Sequence, residues 1–129
     1  MTIFSRIIAG EIPCYKIAED EKFFAFLDIN PLTEGHTLIV PKPEEDYLFR
    51  LDDETLGEMM IFAKKIALAI GKSVSCVRVG VAVIGLEVPH AHIHLIPINK
   101  ESDMNFHNQK LKLSADRMTA IAQKIKENL

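Results

Sequence analysis

Val88-Pro89-His90-Ala91-His92-Ile93-His94-Leu95-Ile96-Pro97-Ile98-Asn99 is the stretch from which the rest of the chain can be read. Pro89 and Asn99 bound it, and the alternation between them predicts a β-strand over 90–98. Residues two apart on a strand point the same way. His90, His92 and His94 therefore project from one face, and Ala91, Ile93 and Leu95 from the other. Just upstream, Val77, Val79, Val81 and Val83 alternate along a second strand that ends at Gly85, and the two runs read as neighbours in one sheet.

Working outward, Leu56, Met59, Met60, Ala63, Ile66, Ala67 and Ile70 recur at helical spacing, opened by Asp52, Asp53 and Glu54 and closed by Gly71. Three more strands precede that helix: Tyr15 to Glu19, Lys22 to Asp28 and His36 to Pro41. Phe23-Phe24-Ala25-Phe26-Leu27 is apolar on both faces, which places it inside a sheet. Ile3, Phe4, Ile7 and Ile8 predict a short amphipathic helix stopped by Gly10 and Pro13, its apolar face laid on the sheet. At the other end, Ser114 caps a stripe of Met118, Ile121, Ala122, Ile125 and Leu129. The sum is an α+β fold, a five-stranded antiparallel sheet with packed helices. At 129 residues, 48% of them hydrophobic, and with no repeat or linker, the chain reads as one domain over 1–129.

Composition narrows the function. A net charge of -3 supplies no field toward nucleic acid or an anionic membrane, and no apolar run reaches membrane-spanning length. Cys14 and Cys76 form no CxxC pair and are too few to staple a secreted fold; they read as small buried hydrophobes. A soluble, cytoplasmic protein is expected.

Of the five histidines, three stand in strict alternation. A packed core has little use for adjacent imidazoles with two ring nitrogens each to satisfy. Metal binding is one alternative, with Glu87 or His36 completing the ligand set. Covalent chemistry at phosphorus is the other: one imidazole must be neutral to attack while another holds a proton near the leaving group. Histidine, with an unperturbed pKa of about 6.5, serves in either state, and neighbouring imidazolium charges repel, so the row resists full protonation.

His90-Ala91-His92-Ile93-His94-Leu95-Ile96-Pro97 resembles the signature of the histidine triad (HIT) family, His-x-His-x-His followed by apolar residues. Thr2-Ile3-Phe4-Ser5-Arg6-Ile7-Ile8 with Glu11-Ile12-Pro13 also resembles it. So does Phe26-Leu27-Asp28-Ile29-Asn30-Pro31, leading through Gly35-His36 to Leu38-Ile39-Val40-Pro41. The likeness spans 2–98; 99–129 is a tail with the C-terminal helix. It implies that His92 is the nucleophile and carries a transient nucleotidyl group, which water removes with inversion at each step. His94 would contact the α-phosphate and assist proton transfer, His90 would orient the nucleophile from behind, and His36 would support it through hydrogen bonds. Asp28 would accept from both ribose hydroxyls, although it also reads as a turn-opening residue before Ile29-Asn30-Pro31. Ile3, Phe4, Ile7, Phe26 and Ile29 match the base pocket, and each also suits an ordinary core. The resemblance further implies a two-fold homodimer with a continuous sheet.

Three positions, Val79, Leu86 and Glu87, depart from the family pattern. Many members carry an Asn on the preceding strand and Gly-Gln-Ser/Thr-Val before the triad; here these read Val79 and Gly85-Leu86-Glu87-Val88. Glu87 sets a negative charge beside the phosphate site, which would select a cationic leaving group over a polyphosphate. Thr2 and Ser5 stand where some members bind zinc through Cys-x-x-Cys, so a structural zinc of that kind is not expected; the leading reading assigns no metal and no cofactor. The leading expectation is a nucleotide hydrolase or transferase acting on purine nucleoside phosphoramidates. Its rivals are a dinucleoside polyphosphate hydrolase, a nucleotide-binding regulatory protein with little turnover, and a metal-binding module.

Overall fold

The chain runs α1 (Ile3–Ile8), β1 (Lys16–Glu19), β2 (Phe23–Leu27), β3 (Thr37–Pro41), α2 (Asp53–Ser73), β4 (Arg78–Ala82), β5 (Ile93–Ile98) and α3 (Ala115–Glu127). The computed structural model describes residues 1–129. The Asp20 carboxylate turns β1 into β2 by accepting the N–H groups of Lys22 and Phe23, both at 2.8 Å. Gly35 turns the chain into β3 at φ +94, where a Cβ would meet Val74 Cγ2 at 2.9 Å. The strands form one antiparallel sheet in the order β1-β2-β3-β5-β4. As the bulk of its side chains predicts, β2 is interior and buried along its whole length.

Period-two alternation sorts the side chains. Phe23, Ala25, Leu27, Ile39, Ile93 and Leu95 meet α2 and α3 in the main core, with Met59, Ile66, Ile70, Met118 and Ile125 opposite them. Phe24, Phe26, Leu38 and Val40 face the other way and are joined by Phe4 of α1. Both long helices pack on one face, leaving the other for the six-residue α1 and the loops. Asp52 and Ser114 cap α2 and α3 through the N–H groups of Thr55 and Arg117. A two-pronged pair from Arg117 to Glu34, at 2.9 and 2.7 Å, ties α3 to the β2–β3 loop.

Several expected boundaries move. α2 continues through Gly71 to Ser73, whose hydroxyl donates to the Ala69 carbonyl at 2.7 Å. One glycine costs a helix only about 1 kcal/mol, and the buried stripe carries the helix past it. Met60 and Leu129 point to solvent and leave their stripes. Val77 and Val83 lie outside β4, and β5 begins at Ile93, so His90, Ala91 and His92 precede the strand. The β3–β5 ladder ends at the Ile39–Ile93 pair; Pro41 has no N–H to extend it. The Ala91 N–H turns instead to the Glu45 carbonyl at 2.6 Å. Cys14 and Cys76 are free and half-exposed rather than buried. No helix is long and apolar enough to cross a membrane.

Candidate active site

Four imidazoles gather on the face that α2 and α3 leave open. His94 projects from β5 and His92 from the residue before it, with ring centres 4.8 Å apart. The expected single row of three is not formed. Because the chain at His90 has left the ladder, its ring turns back between α1 and β3. There Nε2 lies 2.7 Å from the Pro41 carbonyl and Nδ1 2.7 Å from the Thr2 hydroxyl. His36, at the entrance to β3, reaches His94 rather than the nucleophile position, with His36 Nε2 3.0 Å from His94 Nδ1.

The backbone decides which nitrogen carries each proton. Leu32 donates its N–H to His36 Nδ1 at 3.0 Å, so a neutral His36 bears its proton on Nε2 and gives it to His94 Nδ1. His94 is thereby left with an N–H on Nε2. His92 is set the opposite way: its Nδ1 faces the His90 carbonyl at 2.7 Å and must donate, leaving a lone pair on Nε2. Adjacent rings of one residue type thus carry a nucleophilic nitrogen and a proton donor. These tautomers follow from the hydrogen-bond network.

Burial keeps the rings neutral. It drives His36 down to about 3, reinforced by His94, Lys110 and His92, and His94 down to about 4, with His92 as the second cause. His92 is also lowered by burial, opposed by its bond to the His90 carbonyl and by the charge of Glu87. Asp28 is raised, chiefly by burial; its bond from Asn30 and the charge of Lys110 oppose the shift, and Glu87 adds to it.

Asp28 opens the turn, as one of its two readings expects. Oδ1 accepts the Asn30 N–H at 2.9 Å and opens the turn, while Oδ2 stands 3.6 Å from His36 Nε2 at the edge of the cluster. Phe4 and Phe26 are buried, 5.6 Å apart between ring centres, and Phe4 also meets the His92 ring edge-on at 5.0 Å. Ile7 and Val88 pack at the margin of that cluster. Ile3 and Ile29 stand 50% and 67% exposed, leaving apolar surface available to a ligand. Glu87 is exposed and takes part in none of the ion pairs, yet its charge bears on both His92 and Asp28. Val79 packs toward the helix-side core, so its apolar character removes nothing from this face.

Periodicity gave no sign of the loop between β5 and α3. Phe106 stacks edge-on to His94 at 4.9 Å and lies 6.4 Å from His36. Lys110 Nζ donates to the carbonyls of Phe106 and Asn108, and the Leu111 N–H binds the Pro31 carbonyl at 2.9 Å, pinning the loop beside Asp28. His107 is exposed.

Asp28, His36 and His94 offer ligand atoms within 4.8 Å of one another, close enough for a metal ion. The proton arrangement opposes one. His36 Nδ1 already accepts from Leu32, so ligation through Nε2 would require an imidazolate or a broken backbone bond. Glu87 does not belong to the group.

A model of the HIT domain matches residues 9–101. The chain belongs to the histidine triad family. This HIT protein is 36% identical to an uncharacterised HIT-like protein of Borreliella burgdorferi, covering 98% of this chain and 97% of that one. It is 31% identical, over 98% and 97% of the two chains, to the adenosine 5'-monophosphoramidase of Schizosaccharomyces pombe. Its fold superposes with a TM-score of 0.84 on a HIT-like protein from Bartonella henselae, at 30% identity and covering 99% and 96% of the chains. The five-stranded antiparallel sheet is therefore the HIT fold.

Proposed function

We propose that this HIT protein is a nucleotide hydrolase or transferase that breaks a bond at the α-phosphorus, with purine nucleoside phosphoramidates as its substrate class. The observation that carries this is the opposed tautomers of His92 and His94. His92 Nε2 attacks the α-phosphorus and forms a P–N bond. The bond to the leaving group breaks as the leaving nitrogen takes the proton of His94 Nε2. Water then attacks the same phosphorus and gives a proton back to His94; the His92–phosphorus bond breaks, leaving a nucleoside monophosphate and an amine. Asp28 accepts the ribose hydroxyls, and Ile3, Phe4, Ile7, Phe26, Ile29 and Val88 form the apolar side that receives the base. The Schizosaccharomyces pombe relative's activity supports this reading. Hydrolysis of an adenosine phosphoramidate measured beside a diadenosine polyphosphate tests it: faster release from the phosphoramidate is expected. Bound nucleotide without turnover of either would favour a regulatory binding protein instead.

Glu87 sets the leaving-group preference. Its charge has no ion-pair partner in the chain and acts on the nucleophile, so it favours an amine that carries a cation and disfavours a further phosphate. Glu87→Ser is expected to shift the ratio of kcat/KM for a lysine-like phosphoramidate over a diadenosine polyphosphate toward the polyphosphate by about tenfold, a single charge contact of roughly 1.4 kcal/mol. An unchanged ratio would remove Glu87 from specificity.

The protein works as a homodimer. β4 is an open edge of the sheet, and Val81 on it is 51% exposed. Pairing two β4 edges satisfies that edge and joins the two sheets into one, and Ile61 and Leu68 add exposed apolar surface on α2. Light scattering should give twice the 14.5 kDa chain mass at micromolar concentration; a monomer at all concentrations would refute the pairing.

A further inference from the structure

A second polar cluster, of His90, Thr2, Ser5 and Glu44, lies at the start of α1. His90 is fully buried, and its ring is held at both nitrogens. The Pro41 carbonyl can only accept, so Nε2 carries the proton; Nδ1 then has a lone pair and needs a donor. Thr2 Oγ1, 2.7 Å away, is that donor. Thr2 is itself held, because its Oγ1 caps α1 by accepting the Ser5 N–H at 3.0 Å. Its backbone N–H donates to Glu44 Oε1 at 2.9 Å, and the Ser5 hydroxyl donates to the same carboxylate oxygen. Glu44 therefore binds both the N–H and the hydroxyl side of the first turn of a helix only six residues long, which would be marginal alone.

We propose that Thr2, held in place by Glu44 and Ser5, is a positioning residue for the nucleophile. It fixes the orientation of His90, whose tautomer the Pro41 carbonyl already sets, by satisfying the Nδ1 lone pair. The His90 carbonyl accepts the Nδ1–H of His92 at 2.7 Å, so an anchored His90 holds the His92 lone pair toward the substrate. The same helix carries Phe4, whose ring packs on His92 at 5.0 Å. The segment expected beneath the purine and the placement of the nucleophile are thus governed by one clamp. The proposal rests on His92 being the nucleophile, as argued above.

Thr2→Val keeps the shape and removes the hydroxyl; Thr2→Ser keeps both the donor and the helix cap. Thr2→Val is expected to lower kcat on an adenosine phosphoramidate by tenfold or more with KM changed less than threefold, and Thr2→Ser to restore kcat to within twofold of wild type. Because Thr2→Val also loses the cap, imidazole 15N–1H spectra of the free proteins supply the second readout. Wild type should show His90 protonated on Nε2, with its Nδ1 resonance shifted by the Thr2 hydroxyl; Thr2→Val should keep the Nε2 proton and move the Nδ1 resonance to that of a lone pair without a hydrogen bond. A Thr2→Val protein with wild-type kcat, or with the His90 Nδ1 resonance unchanged, would overturn the inference. Absence of turnover in the wild type would instead overturn the proposed activity, leaving the spectra to decide the role of Thr2 in setting the ring.

Discussion

His92→Ala is expected to abolish turnover, lowering kcat by about a thousandfold or more, as loss of a covalent nucleophile does elsewhere. Wild type quenched in alkali during turnover should yield nucleotide covalently attached to His92 through a P–N bond, which alkali preserves and acid cleaves. The variant should yield none. His94→Ala should remain able to form the adduct from substrates whose leaving groups depart without a proton, because only the donor has been lost. The arrangement of Nδ1 against the His90 carbonyl makes the assignment specific, since Nε2 of His92 is the ring nitrogen left with a free lone pair. Free imidazole supplied to a His92→Gly variant should recover part of the activity by filling the same space. A His92→Ala protein that is folded by circular dichroism and retains a tenth of wild-type turnover would exclude His92 as nucleophile.

The second large effect is on stability in mild acid. His36 and His94 titrate at about 3 and about 4 in the folded protein, against 6.5 for an ordinary histidine. Between those values and 6.5 the unfolded chain binds protons that the folded chain refuses, so stability is lost as pH falls through this window and is complete above it. Each ring should contribute a loss of about 2 kcal/mol between pH 7 and pH 5, and the pair about 4 kcal/mol. Most carboxylates remain ionised at pH 5, which separates this effect from general acid unfolding. Urea titrations at the two values provide the check, and His36→Gln should roughly halve the slope. A wild-type change below about 1 kcal/mol would mean that both rings take up protons while folded.

Much of the fold was legible because the signals are local. The alternation of Ala91, Ile93 and Leu95 with the histidines correctly placed the apolar side toward the helices. Asp52 and Ser114 marked helix starts because a cap is made within three residues. The errors lie where a distant partner decides. Nothing in 88–92 reveals that Pro41 cannot extend the ladder, or that Glu45 takes the Ala91 N–H, so the strand was read three residues too long. Gly71 read as a stop because its cost is local, whereas the burial of Ile70 and Ser73 that outweighs it is tertiary. His36 was placed near the cluster by resemblance, but its partner, His94 rather than His92, depends on how β3 pairs with β5. The contacts of Phe106 and Lys110 beside the histidines carry no periodic signal, since the loop that holds them is irregular.

The division of labour between His92 and His94 has a consequence for how such a sequence can drift. Two identical side chains acquire opposite roles from main-chain groups: the N–H of Leu32, acting through His36, and the carbonyl of His90. Every amino acid supplies that carbonyl, and every one except proline supplies that N–H. The protonic polarity of the site is therefore indifferent to the side chain at position 32, and proline is the one residue there that would erase it. A lineage could exchange Leu32 for other apolar residues while its two imidazoles kept their assignments, because what is inherited at that position is a peptide group rather than a side chain.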